Sequence, residues 1–271
     1  MTDITLIPTG GLCNRLRAIA STLQTSKSNN CELRVIWNRY NGMNARFYDL
    51  FKPINEEGLY IEDSNEWLYK INRKKDYYIR LPLLKLKYDS VFYQATSFND
   101  SYQEITEKIM EEKSSKILSI SGAPLCKDYP LTGLFKPVDN IAKRIQSTTS
   151  KFSRNTIGIH IRRTDSVESL DKSPTEAFHR KIEEEIAIDD SVAFYLASDD
   201  NMVKKQFKAK YGDRIITTID NTDRNNVEGI QFAVYDLFCL SRTRRIIGSY
   251  YSSFTQEAAR MGHIPLEYAR K

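Results

Sequence analysis

An α/β protein built on parallel sheets is the fold class that the 271-residue sequence predicts, and three patterns predict it. Residues 4–23 read as strand, glycine turn and helix. A polar stretch at 146–150 separates an irregular first half from a second half. That second half alternates apolar runs of strand length with segments of helical periodicity, four times over.

Ile4, Thr5, Leu6 and Ile7 form a short apolar run that stops at Pro8 and a Gly10-Gly11 turn; Leu12, Leu16, Ile19, Ala20 and Leu23 follow at helical spacing. Strands are expected at 33–36, 59–61, 91–93 and 117–120, with a charged helix at 102–116 between the last two. The basic-aromatic stretch Arg73-Lys74-Lys75-Asp76-Tyr77-Tyr78 reads as a solvated loop, with an anionic acceptor or a membrane surface as the alternative partner. The polar stretch at 146–150 follows a helix and precedes a new strand, so domains of 1–150 and 151–271 are expected. In the second, strands at 156–161, 192–197, 215–219 and 245–248 alternate with helices at 175–186, 202–210, 227–240 and 254–261. Such alternation gives a parallel sheet covered on both faces, with ligands outside the carboxyl ends of its strands.

Composition narrows the function. At 41% hydrophobic residues the chain can bury a core, and 40 basic against 35 acidic residues leave a net charge of only +5. That excess suits an anionic small ligand but lacks the basic tracts of a nucleic-acid binder, so no nucleic-acid partner is expected. No apolar run approaches the roughly 20 residues of a membrane-crossing helix, and the first residues lack the pattern of a secretory signal. A cytoplasmic location is expected, with peripheral contact at the inner face of a membrane as the alternative. Four scattered cysteines and three histidines argue against a disulfide framework and against a structural metal.

Four motifs fall at strand ends. In Ile157-Gly158-Ile159-His160-Ile161-Arg162-Arg163-Thr164-Asp165, alternation puts His160 and Arg162 on one face of the strand. Adjacent guanidinium forks suit a diphosphate; capping helix ends, or pairing with Asp165, is the alternative. Phe194-Tyr195-Leu196-Ala197-Ser198-Asp199-Asp200 ends in two acids that suit a helix cap better than a divalent cation. The turn Gly248-Ser249-Tyr250-Tyr251-Ser252-Ser253-Phe254 offers hydroxyls and a helix N-terminus to phosphate, although ordinary capping by Ser252 or Ser253 needs no ligand. Thr9-Gly10-Gly11-Leu12-Cys13-Asn14-Arg15 permits close backbone approach but fits neither the dinucleotide fingerprint nor the P-loop.

Together these motifs resemble the fucosyltransferase superfamily that includes bacterial nodulation and eukaryotic core α1,6-fucosyltransferases and protein O-fucosyltransferases. His160-Ile161-Arg162-Arg163-Thr164-Asp165 with the later Thr175-Glu176-Ala177-Phe178-His179 is similar to the first motif of the α1,6 family. Tyr195 to Asp200 is similar to the second, and Asp236 with the Ser252-Ser253 turn to the third. Gly10, Gly11, Asn14 and Arg15 look like the acceptor-side glycine loop of the wider superfamily.

The resemblance implies a GT-B-like glycosyltransferase with two Rossmann-like domains, the amino-terminal one on the acceptor side and the carboxy-terminal one binding the nucleotide. It implies an inverting, metal-independent transfer from GDP-fucose, as donor substrate and not cofactor, to an oligosaccharide or glycolipid. By the same resemblance Arg162 holds the β-phosphate with His160 and Arg163 beside it, Asp236 reads guanine, and Asp165, Asp199, Asp200, Ser252 and Ser253 complete the donor pocket. Glu176 matches a carboxylate that takes the acceptor proton. The chain departs from the pattern at Ser166, where the core enzymes carry Lys; the longer following loop offers Lys172 as a stand-in. The chemistry is coherent, because fixed cations lower a barrier at which charge develops on the leaving diphosphate, and a carboxylate can serve as general base. A transferase for another nucleotide sugar and a non-catalytic nucleotide- or glycan-binding module are the alternatives.

Overall fold

The computed structural model describes residues 3–94, 116–164 and 167–271. Asp165 and the helix expected at 102–116 lie outside the described residues, apart from Lys116, which opens a strand.

Two compact units divide the chain: Met1–Val138 with Arg224–Ile230, and Asp139–Asp223 with Gln231–Lys271. The helix Asp139–Thr149 belongs to the second, where Thr148 and the Tyr235 hydroxyl share a 2.8 Å hydrogen bond and Arg144 pairs with Asp220 at 2.5 Å. The division therefore falls at Val138, and most of the polar stretch at 146–150 is the end of a helix inside the second unit. Residues 224–230 return to the first unit, where the Asn44 amide donates to the Arg224 carbonyl (3.1 Å) and Asn44 Nδ2 to the Asn225 carbonyl (2.8 Å).

In the first unit β1 (Asp3–Pro8), β2 (Glu32–Asn38), β3 (Leu59–Ser64), β4 (Ser90–Gln94) and β5 (Lys116–Ser121) form a parallel sheet in the order β3-β2-β1-β5-β4. Strand β1 pairs with β2 on one side and β5 on the other, so the winding reverses beside it and a crevice opens past its carboxyl end. Gly10 takes φ +77°, a left-handed turn that glycine adopts at no steric cost, and leads into the helix Leu12–Ser28. Residues 73–78 are not a loop, contrary to the sequence reading. Asp76 accepts from the Arg73 amide at 3.0 Å and starts the helix Lys74–Lys87, whose Leu84 is buried with Ile7, Ile36, Leu118 and Ile120. Pro82 and the lysines obscure its inward stripe of Tyr77, Leu81 and Leu84 at i, i+4 and i+7.

The second unit repeats the plan. Strands β6 (Ile157–Ile161), β7 (Phe194–Ser198), β8 (Ile215–Ile216), β9 (Ile246–Gly248) and β10 (Leu266–Tyr268) run parallel in the order β10-β9-β6-β7-β8. Helices Thr175–Ile188, Asn201–Tyr211 and Ser253–Gly262, and the helix Val227–Leu240 whose first four residues belong to the first unit, fall where helical spacing predicts them. Ile157, Ile159, Ile161, Phe178, Phe194, Leu196, Phe207 and Ile247 make the core. β8 stops two residues in, short of the expected 215–219, and Thr217 Oγ1 donates instead to the Leu196 carbonyl at 2.7 Å. Winding reverses between β6 and β9, which sets Arg162 and the turn after Gly248 at one crevice.

Candidate active site

The ends of β6 and β9 are cross-linked. The Arg162 amide donates to Ser249 Oγ at 3.0 Å, and the Ser249 amide donates to the His160 carbonyl at 2.9 Å. A Cβ on Gly248 would stand 2.1 Å from Thr255 Cγ2, so only glycine lets the helix Ser253–Gly262 begin so close to β9. From that first turn Phe254 stacks on the His160 ring at 4.8 Å, and Thr255 Oγ1 shares a 2.6 Å hydrogen bond with His160 Nδ1. His160, expected beside a phosphate, is thus buried with its Nδ1 and ring face engaged by protein groups. Burial, with Arg162 nearby, lowers its pKa to about 4 despite Asp199, so it is neutral at pH 7.

Ser252 occupies the N-cap position of the same helix but makes no side-chain cap bond, and its buried Oγ has no hydrogen-bond partner among the described residues. Ordinary capping therefore does not account for it. A buried hydroxyl without a partner at a helix N-terminus, two residues along from a backbone amide anchored by Ser173 Oγ (Tyr250, 2.9 Å), is suited to an anion. Ser253 is half-buried at the first helical position.

The two adjacent arginines diverge. Arg163 spends its guanidinium on the frame, donating to the Arg162 carbonyl (2.8 Å) and to Thr175 Oγ1 (3.1 Å) while lying 5.7 Å from the Phe178 ring centre. Burial lowers its pKa, opposed by Asp199, Glu176 and Asp200. Arg162 stands half-buried one residue past β6. Glu176 is exposed in the first turn of Thr175–Ile188, close enough to act on Arg163 electrostatically.

Asp199 and Asp200 brace the strand-end loops. Asp199 accepts from the Arg163 amide (2.8 Å), the Thr164 amide (3.2 Å) and the Thr164 hydroxyl (2.6 Å). Asp200 caps the next helix through the Met202 amide at 2.7 Å. No cluster of three His, Cys, Asp or Glu side chains with metal-binding geometry occurs among the described residues. Lys172 pairs with Glu168 at 2.9 Å and lies 4.9 Å from the Tyr250 ring centre, with Arg270 4.3 Å from the same ring. Ser173 and Arg270 carry no local sequence signal, whereas Ser249 belongs to the hydroxyl-rich turn just past a strand.

Asp236, expected to read guanine, is instead buried against protein groups. Tyr195 donates to its Oδ1 at 2.5 Å and the fully buried Lys204 to its Oδ2 at 3.3 Å. Lys204 also donates to the Thr218 carbonyl at 3.1 Å. Burial raises the Asp236 pKa, opposed by Lys204 and Tyr195. Lys204 sits three residues before Phe207 on a buried helix stripe, the one hint the sequence held.

In the first unit Gly10, Gly11 and Asn14 are half-buried at the crevice past β1. Arg15 is fully enclosed, donating to the Gly10 carbonyl (3.2 Å) and the Asn38 carbonyl (2.7 Å), with its guanidinium 4.5 Å and 4.7 Å from the Trp37 and Tyr40 rings. The Tyr40 hydroxyl donates to the same Gly10 carbonyl at 2.6 Å. Arg15 therefore shapes the glycine turn from beneath and does not reach out of it.

No protein-family profile and no curated protein matches the sequence. Solved structures do. NodZ alpha-1,6-fucosyltransferase soaked with GDP-fucose superposes with a TM-score of 0.63 at 16% identity, over 95% of this chain and 92% of that one. Fucosyltransferase NodZ from Bradyrhizobium gives 0.63 at 16% identity over 94% and 91%. POFUT1 in complex with GDP-fucose gives 0.55 at 12% identity over 98% and 97%. The fold is GT-B-like. At these identities the likeness fixes the arrangement of strands and helices, and the chemistry rests on the residues just described.

Proposed function

We propose that the protein is a glycosyltransferase that moves fucose from GDP-fucose to a hydroxyl of a carbohydrate or glycolipid acceptor, with inversion and without a metal. The observation that carries this reading is the buried Oγ of Ser252, without a hydrogen-bond partner among the described residues, at a helix N-terminus three residues past Ser249, which accepts from the Arg162 amide. Ser252, Ser253 and the helix N-terminus would take one phosphate, and the guanidinium of Arg162 the β-phosphate. GDP-fucose and GDP are bound by the NodZ and POFUT1 structures of the same fold, which supports this donor.

In the step itself, the acceptor oxygen bonds to the anomeric carbon from the face opposite the diphosphate. The bond from that carbon to the β-phosphate oxygen breaks, and its electron pair stays on GDP. Arg162 stabilises that growing charge, a contribution worth about 10²–10³ in rate for a preorganised donor. The acceptor proton passes to Glu176, which is exposed in the first turn of its helix. The amino-terminal unit, with its glycine turn at Gly10 and Gly11, takes the acceptor. The chain works away from nucleic acid, in the cytoplasm.

A second reading, a different nucleotide sugar, is favoured by one observation: the carboxylate of Asp236 is already engaged by Lys204 and Tyr195. Calorimetric titration with GDP, ADP and UDP, followed by product analysis with the matching sugars, separates the two. Binding confined to GDP, with fucose transfer, is expected. Preference for UDP or ADP moves the reading to another donor, and GDP binding without turnover of any donor leaves a binding module.

A further inference from the structure

The helix Lys74–Lys87 carries two apolar stripes, and only one of them is used. Its inner stripe of Tyr77, Leu81 and Leu84 packs toward the first sheet, with Leu84 fully buried. A second stripe, Ile79, Leu83 and Leu86, also at i, i+4 and i+7, faces outward and is 61%, 48% and 85% exposed. Tyr78 adds 57% exposure beside it, so this one helix holds four of the twelve exposed large hydrophobic side chains among the described residues. Next to it Trp67 is exposed and tied to the helix: Arg80 Nε donates to the Trp67 carbonyl at 2.7 Å, and the guanidinium lies 4.4 Å from the Trp67 ring centre.

The exposed charge on the helix itself has one sign, and off the helix Glu66 stands exposed beside Trp67. Lys74 and Lys75 are exposed at the amino end and Lys85 and Lys87 at the carboxyl end, while the helix's one acid, Asp76, is turned to its own N-terminus and to Arg80. Lys75 and Lys85 have no acidic partner among the described residues. A soluble helix normally reverses this pattern, placing mixed charge outward and leaving no contiguous apolar stripe. Fourteen residues at 1.5 Å rise span about 21 Å, enough for an apolar ridge lying in the plane of a membrane surface with lysines at both ends. No helix among the described residues is long and apolar enough to cross a membrane.

We infer that the outer face of this helix docks the protein on an anionic lipid surface, with Ile79, Leu83, Leu86 and Trp67 entering the headgroup boundary and Lys74, Lys75 and Lys85 meeting lipid phosphates, Lys87 being held by the Tyr69 hydroxyl. A bilayer fits better than a protein partner because the helix combines an exposed apolar ridge with lysines, and its one acid, Asp76, is turned to Arg73 and Arg80. The inference does not depend on the identity of the sugar donor.

Sedimentation with vesicles tests it, using phosphatidylglycerol mixed with phosphatidylcholine against phosphatidylcholine alone. The 271-residue protein is expected to bind the anionic vesicles at least tenfold more tightly. Ile79→Glu with Leu86→Glu should lose at least tenfold of that binding while keeping the melting temperature, since both side chains are outside the core. Lys75→Glu with Lys85→Glu should remove the preference for anionic lipid. Ile188→Glu, at an equally exposed position in the second unit, should change nothing. Failure to bind either vesicle, or an equal loss with Ile188→Glu, overturns the inference. A concentration-dependent dimer that Ile79→Glu with Leu86→Glu dissociates would overturn it too, by assigning the face to a second copy.

Discussion

The backbone amide of Arg162 donates to the buried hydroxyl of Ser249 at 3.0 Å, joining two strand ends 87 residues apart in sequence. That bond sets where the Arg162 side chain leaves the sheet, and the Ser249 amide repays it by donating to the His160 carbonyl. Arg162→Ala is expected to abolish transfer and weaken GDP binding, with Arg162→Lys rescuing little because an ammonium cannot reproduce the planar fork. Ser249→Ala should lower turnover less, at a stability cost of about 1 kcal/mol for the lost hydrogen bond. Near-normal turnover in the Arg162→Ala enzyme would remove the phosphate assignment.

Ser252→Ala separates ligand binding from folding. Its Oγ bonds no group among the described residues, so urea unfolding should report unchanged or slightly higher stability, while calorimetry reports weaker GDP binding. A loss of stability with unchanged affinity would return Ser252 to a structural role.

Lys204 and Asp236 should behave as one unit. Asp236→Ala strands a fully buried ammonium and is expected to cost about 3–5 kcal/mol in urea unfolding, whereas Lys204→Met combined with Asp236→Leu should recover most of it. Asp236→Asn tests base selection separately: unchanged preference for GDP over ADP and UDP would mean that the carboxylate serves only Lys204 and Tyr195.

Acid should weaken the fold through His160. Its folded pKa of about 4 lies below the ordinary 6.5, so the native state binds fewer protons than the unfolded chain between those values. The associated stability is complete above pH 6.5 and is lost as pH falls toward 4, an effect of roughly 3 kcal/mol for one such group. Unfolding curves between pH 7 and pH 4 for the wild type and His160→Gln check it; parallel pH dependences would show that other groups carry the acid sensitivity.

Activity is expected to persist in EDTA. Both oxygens of Asp199 already accept hydrogen bonds from Arg163 and Thr164, and Asp200 is engaged as a helix cap, so neither is poised as a cation ligand. Loss of turnover on chelation, restored by manganese or magnesium, would make these acids ligands after all.

By itself the sequence determined the parallel α/β plan, the strand at β6 and the turns at Gly10 and Gly248, because each depends on neighbours in the chain. An unbroken run such as Ile157 to Ile161 fits a strand buried on both faces, and a glycine before a helix permits close approach. The helix Lys74–Lys87 escaped that reading because its two apolar stripes cancel the one-sided periodicity by which a surface helix is recognised. Tertiary structure alone decided how the polar side chains are used. Arg162 and Arg163 are chemically identical neighbours, yet Thr175 and Phe178 claim only the second. Asp236 finds Lys204 thirty-two residues away and Tyr195 forty-one away, partners that come together only when β7 and the two helices pack. A buried charge must be paired wherever the fold closes over it, and no local pattern encodes which distant group the closing fold supplies.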